Sequence, residues 1–273
     1  MGRRCDSTIN DVSLTQLFTP VSCTKSPAVR NPFRRKDKPR PSVPEGIRVY
    51  AIGDIHGRAD LLAEMLNRID AHLASNPIRN PIEVFLGDYI DRGPASREVL
   101  DLLVTRDRTF RTVFLKGNHE WYLTEFLSNP PILKEWQNWG GLETLMSYGV
   151  RPTLNPDSGT QTQLAAALDQ MLPDSHRQLL GKLESSFTCG DFFFVHAGVR
   201  PGVPLTKQRQ EDLLFIRYDF LLCEEDFSKI IVHGHTPVME PEIRPNRINI
   251  DTGAYATGRL TCLVLEDDKA DFI

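Results

Sequence analysis

Gly87-Asp88-Tyr89-Ile90-Asp91-Arg92-Gly93 places two carboxylates and a guanidinium within five residues, directly after the apolar run Ile82-Glu83-Val84-Phe85-Leu86. A short β-type run ending in Gly-Asp delivers an acid to the edge of a sheet. Taken alone, the stretch reads as readily as a turn with a surface ion pair. Two neighbours alter that reading. Gly53-Asp54-Ile55-His56-Gly57 stands some thirty residues before it and Gly117-Asn118-His119-Glu120 some thirty after, each again following an apolar run. Three strand-end clusters of metal-type ligands in one chain are hard to explain by chance.

Outward from these clusters the pattern alternates. Residues 47–52 read as a buried strand running into Gly53-Asp54, and 59–73 set Leu61, Leu62, Met65, Leu66, Ile69 and Leu73 at helical spacing. A second strand at 82–86, a second helix at 96–104 after the Gly93-Pro94 break and a third strand at 112–115 follow. Strand, helix and strand at this interval imply right-handed βαβ units, a partly parallel sheet and an α/β class. From about 120 to 185 the pattern turns helical around Trp121, Trp136, Trp139 and Gly140-Gly141. This predicts an insertion that covers the site and helps define the substrate, with the tryptophans as its local core. Strands resume at 191–195 before His196-Ala197-Gly198 and at 229–232 before His233-Gly234-His235-Thr236-Pro237. Residues 247–250, Asp251-Thr252-Gly253 and 260–265 read as closing antiparallel strands of a second sheet. No internal repeat is visible.

At 273 residues the chain is long enough for one large domain or a domain with a tail. Residues 1–45 carry nine Lys/Arg against four Asp/Glu, with six prolines and little periodicity, and predict a flexible basic tail ahead of a domain at 46–273. The tail reads either as a docking arm for an acidic partner or as a solvated extension. The formal net charge of −4 then leaves about −9 on the body, which argues against coating nucleic acid. Five cysteines, odd in number and without a Cys-x-x-Cys, suggest neither a disulfide framework nor a zinc-thiolate site, so a reducing, cytoplasmic compartment is expected. No apolar run approaches bilayer-spanning length and the Met1-Gly2-Arg3-Arg4 start lacks a signal-peptide core, so no membrane partner is expected.

Loops at strand ends are where an α/β sandwich collects its active site. Asp54, His56, Asp88, Asn118, His196 and His235 form a set of oxygen and imidazole ligands without thiolate, suited to Mn, Fe, Zn or Co. Six ligands are too many for one open catalytic ion and suitable for two, with Asp88 bridging. Two ions so held acidify a shared water for in-line attack on phosphorus. Arg92 offers a planar fork for the phosphate oxygens. His119 is placed to protonate the leaving group, with Asp91 orienting its ring. Five of the seven histidines fall inside strand-end motifs, which leaves His72 and His176 as structural.

In order and spacing the three clusters resemble the signature motifs of the phosphoprotein phosphatase family of metallophosphoesterases. The resemblance extends through His196-Ala197-Gly198 and His233-Gly234-His235-Thr236, over about residues 47–265. It implies a four-layer fold of two mixed sheets flanked by helices. It also implies two divalent ions, manganese or else Fe, Zn or Co, with Asp54 and His56 on the first, Asp88 bridging, and Asn118, His196 and His235 on the second. Arg217 resembles the family's second phosphate-binding arginine, and His233 either lines the site or caps its strand. The Ser-Ala-Pro-Asn-Tyr segment of the eukaryotic members is absent, which points to the bacterial and phage branch. There, symmetrical diadenosine tetraphosphate hydrolases share nearly all of these motifs. Glu120 and the stretch from Trp139-Gly140-Gly141 to Ser147-Tyr148-Gly149 favour the protein-phosphatase-like members. The expected activity is therefore hydrolysis of phosphate esters, on phosphoserine or phosphothreonine of a phosphorylated protein or on a small phosphoester, by a hydroxide bridging two metal ions. The dinucleotide hydrolase is the alternative, and a non-catalytic binding protein on the same fold is disfavoured because every expected ligand is present.

Overall fold

A computed structural model of the protein describes residues 40–273 other than 154. The basic segment expected at 1–45 therefore lies outside the described residues except for its last six. Those six already lie against the body. Val43 is buried in the core and its N–H donates to the Asp267 carbonyl at 3.0 Å.

Three βα units open the fold: β1 (Ile47–Ile52), α1 (Ala59–Ser75), β2 (Asn80–Phe85), α2 (Ser96–Asp107), β3 (Thr112–Phe114) and α3 (Asn118–Ser128). The helical insertion continues with α4 (Leu133–Trp136), α5 (Gly141–Ser147), α6 (Ser158–Met171) and α7 (Asp174–Gly181). Then come β4 (Ser186–Cys189), β5 (Phe192–Val195), α8 (Gln210–Phe215), α9 (Tyr218–Leu221), β6 (Ile230–His233), β7 (Glu242–Ile243), β8 (Arg247–Asn249), α10 (Ala254–Thr257), β9 (Cys262–Glu266) and β10 (Lys269–Phe272). One sheet has the order β10-β9-β1-β2-β3 and the other β4-β5-β6-β8-β7. Strands β1, β2 and β3 run parallel, as do β5, β6 and β8.

The period-two alternation of each central strand builds the layers. Val49 and Ala51 of β1 and Ile82 and Val84 of β2 pack with Phe194, Val232, Ile248 and Ile250 between the sheets. Tyr50, Ile52 and Phe85 join Leu62, Met65 and Ile69 of α1 and Leu103 of α2 on the outer side, where the insertion adds Leu123, Trp136, Leu145 and Leu168. Outside the second sheet, Phe193, Val195 and Ile231 meet Leu213, Ile216 and Phe220 of the α8–α9 segment.

One expectation about the closing strands changes. Residues 262–266 form β9, which is antiparallel but sits in the first sheet beside β1, while β8 runs parallel to β6 in the second. The reason lies in its two-sided burial: Leu263 and Leu265 face the gap between sheets while Cys262 and Val264 face the helices, as a strand one in from the edge requires.

Candidate active site

The register of Ile52 with Phe85 and of Phe85 with Phe114 ends β1, β2 and β3 level, so the loops bearing Asp54, Asp88 and Asn118 leave one edge together. The backbone ties them: the N–H groups of Ile55 and His56 both donate to the Asp88 carbonyl, at 3.1 and 2.8 Å. Keeping these side chains convergent bends the chain into the left-handed region at His56, Asp88, Asp91, Arg92 and His235, with φ of 48, 51, 71, 67 and 65°. Each such residue costs on the order of 1–3 kcal/mol, a strain found where surrounding structure over-determines a functional loop.

Asp88 is the hub. One carboxylate oxygen lies 3.5 Å from His56 Nε2 and 3.6 Å from His119 Nε2, and the other lies 3.3 Å from His196 Nε2. Burial pushes its carboxyl up, but the imidazoles of His119, His196, His56 and His235 outweigh this and hold it below the ordinary carboxylate range. The rings are aimed from behind. His56 Nδ1 faces the Ile90 carbonyl at 3.0 Å and His196 Nδ1 the Leu86 carbonyl at 2.9 Å, which makes each Nδ1–H the donor and turns the Nε2 lone pair inward. Burial lowers the pKa of His56, His196 and His235, which favours the neutral ring that a metal ligand must be. His196 Nε2 is 3.0 Å from Asn118 Oδ1 and 3.2 Å from His235 Nδ1.

Two sets of ligand atoms, His56, Asp88 and His119 on one side and Asp88, His196 and His235 on the other, each fall within 4.8 Å of one another. Asp54 closes the floor. Its Oδ2 accepts the His235 N–H at 2.9 Å and its Oδ1 is buried without a partner. Burial and the charges of Asp251 and Asp88 raise its pKa well above the ordinary range. Neutral imidazoles facing inward, a shared carboxylate and an orphaned buried carboxylate oxygen fit divalent cations, whose charge would reverse the cost of ionising Asp54.

Beside this cluster stand the groups expected to handle phosphate. His119 Nδ1 lies 2.6 Å from Asp91 Oδ2, which also accepts the indole N–H of Trp136 at 2.6 Å, while Thr144 donates to Oδ1. Burial lowers the basicity of His119, but Asp88 and Asp91 prevail and raise its pKa. Arg92 Nη2 comes within 3.5 Å of His119 Nε2, and its guanidinium lies 4.6 Å above the centre of the Tyr255 ring. Its backbone N–H is anchored on the Gly140 carbonyl at 3.2 Å.

The structure thus brings Asp54, His56, Asp88, Asn118, His196, His235, His119, Asp91 and Arg92 to one place. Two of them differ in detail from the expectation: His119, not Asp54, completes the tighter set around the first face of Asp88, and its Nε2 points at that carboxylate. Arg217 is exposed at the rim, where its charge helps depress His196 and His235. His233 is buried edge-on against Phe220 at 4.9 Å and lies outside both ligand sets. Trp136 is core, whereas Trp121 is half-buried and Trp139 is 42% exposed. Sequence reasoning missed Thr144, Ser96 and Trp136 around Asp91, and Asp251 beside Asp54, because neither spacing nor motif links them to the clusters. Tyr255, two residues after Gly253, lies near the place of the absent Ser-Ala-Pro-Asn-Tyr segment, and no motif links it to Arg92.

Comparison with known proteins agrees with this geometry. A protein of Anoxybacillus flavithermus named bis(5'-nucleosyl)-tetraphosphatase PrpE [asymmetrical] is 29% identical over 231 residues, covering 78% of this chain and 88% of the relative. Its namesake from Halalkalibacterium halodurans is 27% identical, covering 78% and 87%. Among solved structures, a candidate diadenosine tetraphosphatase superposes with a TM-score of 0.56 at 19% identity, covering 86% of this chain and 97% of the other. A cold-active protein-tyrosine phosphatase of a psychrophilic Shewanella species does so with 0.53 at 16%, covering 85% and 83%, so these two speak for the fold alone. The sequence profile described as calcineurin-like phosphoesterase matches residues 47–273, both sheets and every ligand described above, and the chain belongs to that family.

Proposed function

We propose that the protein is a metal-dependent hydrolase whose substrate is a dinucleoside tetraphosphate, cut asymmetrically into a nucleoside monophosphate and a nucleoside triphosphate. The observation that carries the hydrolytic reading is the two-faced environment of Asp88, with imidazoles converging on both oxygens and Arg92 and His119 at its side. The substrate is supported by the names of the relatives, asymmetrical bis(5'-nucleosyl)-tetraphosphatases. Asp54, His56 and Asp88 on one side and Asp88, Asn118, His196 and His235 on the other would hold two divalent ions, with manganese the ion proposed. Bound there, such ions supply an acidified water and positive charge for the phosphate oxygens.

The chain's own residues do the rest. Arg92, kept over Tyr255, presents its guanidinium to the non-bridging oxygens, and Arg217, exposed and with its charge felt by His196 and His235, is the second arginine for the phosphate. His119 carries a proton on Nε2 towards the leaving oxygen, and Asp91 holds its Nδ1–H so that the ring cannot turn. The two features that favoured a protein phosphatase have other duties. Glu120 accepts the backbone N–H groups of Asp88, Tyr89 and Gly117 at 2.9, 2.8 and 2.9 Å, and the stretch after Trp139 supplies Gly140 to Arg92 and Thr144 to Asp91.

Initial rates on the manganese-loaded protein, with diadenosine tetraphosphate and a phosphothreonine peptide side by side, test the reading. Expected are turnover of the dinucleotide to mono- and triphosphate and a loss of about a hundred-fold or more in Asp88→Asn. Preference for the peptide would return the protein to the phosphoprotein phosphatases, two diphosphates would mean symmetrical cleavage, and full activity of the variant would overturn the metal-centred mechanism.

A further inference from the structure

A hollow of about 480 Å³, lined from α3, α4 and α8 by Trp121, Tyr122, Glu135, Gln210, Glu211, Leu214 and Phe215, is not used by the chemistry above. We propose that it is a nucleobase subsite in which a purine stacks on Trp121, a reading that rests on the dinucleotide substrate. Trp121 and Phe215 meet at right angles, with ring centres 5.6 Å apart and an 87° angle between planes. The pair makes a corner, one flat wall and one edge, rather than a sealed stack. Both are half-buried, so each keeps surface towards the hollow. Tyr122 buttresses the corner from behind: its ring lies 5.0 Å from Trp121 and 6.3 Å from Phe215, and its hydroxyl is fixed by donating to Glu135 at 2.6 Å. An aromatic face held rigid in this way is what a flat π-system stacks on, with little ordering cost. At the mouth, the exposed Gln210 amide and Glu211 carboxylate suit the exocyclic amine and ring nitrogens of a base.

Placement ties the corner to the phosphate chemistry. Asn118 and Trp121 are three apart on α3 and share a face, about 4.5 Å along the axis. Phe215 precedes Arg217 by two residues, and Arg217 acts on His196 and His235. On this proposal the base, its ribose and one phosphate would span from the corner to Asp88, which would set the α-phosphorus at the reacting position. Water then forms the new bond to the α-phosphorus, the bond from that phosphorus to the α,β-bridging oxygen breaks, and the oxygen departs with its electron pair as part of the triphosphate. One proton of the water goes to solvent, and His119 protonates the departing oxygen. The corner thus selects asymmetrical cleavage by where it holds the base.

Trp121→Leu and Phe215→Leu keep apolar bulk and remove the stacking faces. Two readouts are taken on the metal-loaded full chain: binding of adenosine 5'-monophosphate against ribose 5-phosphate, and kcat/KM on diadenosine tetraphosphate relative to a small aryl phosphate. The wild type should bind the nucleotide more tightly than the sugar phosphate. Each variant should lower that advantage and the substrate ratio by about five- to a hundred-fold, the range of base–aromatic stacking. In water enriched in oxygen-18, the label should appear in the monophosphate. Equal losses on both substrates, an unchanged ratio, or no wild-type preference for the nucleotide would overturn the subsite. A wild type that binds the nucleotide through Trp121 yet leaves the dinucleotide uncut would keep the subsite and remove the proposed substrate.

Discussion

Glu120 holds Asp88 by its backbone: one carboxylate oxygen accepts the N–H groups of Asp88 and Gly117, and the other accepts that of Tyr89. All of these groups are buried, so the second and third clusters are locked to each other through a single side chain. Glu120→Gln can satisfy only one side, because its amide NH₂ would face a backbone donor. An unsatisfied buried donor costs about 1–3 kcal/mol. The variant should melt several degrees lower while its ratio of dinucleotide to phosphopeptide turnover stays that of the wild type. A changed ratio would restore Glu120 as a substrate determinant.

Much of this arrangement is legible in the sequence. The ligands announce themselves because they stand at the ends of apolar strands, Asp54, Asp88, Asn118 and His235 directly after a glycine, and strand ends in an α/β sheet converge without help from distant residues. What the sequence hides is reached through tertiary structure. Trp136 and Thr144 act on Asp91 from helices of the insertion and Ser96 from the start of α2, with no periodicity to single them out. β9 reads as a strand, yet its sheet is decided by which neighbour covers both of its faces. Trp121 looks like core by spacing, and only its right-angled contact with Phe215, more than ninety residues away, shows an open corner.

Gly234 is packed against a ligand. A Cβ there would stand 2.0 Å from Asp54 Oδ1, far inside any real contact. Gly234→Ala must therefore move the carboxylate or the loop that carries His235. Metal content per chain should fall by about one equivalent, with circular dichroism unchanged. Full metal occupancy would show that Asp54 holds no ion.

His119 stands at a point where a proton donor and a metal ligand would both fit. With the ring replaced in His119→Asn, loss of an acid should fall hardest on substrates with poor leaving groups, by about 10²–10⁴ for an alkyl phosphate and much less for an aryl phosphate. Rates on the two esters decide between the roles. Equal losses accompanied by reduced metal content would make His119 a ligand.

His176 gives the fold its own response to acid. It is buried, with Nδ1 2.7 Å from the Tyr148 hydroxyl and Nε2 3.0 Å from Asp101, and burial lowers its pKa despite the pull of Asp101. The unfolded chain takes up a proton as pH falls through 6.5, the ordinary value, while the folded chain resists. This histidine therefore costs no stability above that pH and removes it below, by at most about 1.4 kcal/mol per pH unit. Melting curves from pH 7.5 to about 5 should fall in the wild type and fall less steeply in His176→Gln. Parallel curves would assign the acid response to other groups.

Val43 ties the first described residues to the body. Its side chain is 3% exposed in the core between the sheets, and Ser42 exchanges backbone bonds with Asp191, donating to its carboxylate at 3.0 Å and accepting its N–H at 2.9 Å. Burying a valine contributes about 1.5–3 kcal/mol. A chain that starts at Arg40 keeps all of these contacts, whereas one that starts at Gly46 removes Val43 and strips the partners from Asp191 and from the Asp267 carbonyl. The first truncation should melt like the full chain and the second about 5 °C or more lower. Val43→Ala in the full chain should reproduce part of that loss, because it removes apolar contact and leaves both backbone bonds in place. A second truncation as stable as the first would mean that 40–45 rest on the body without supporting it.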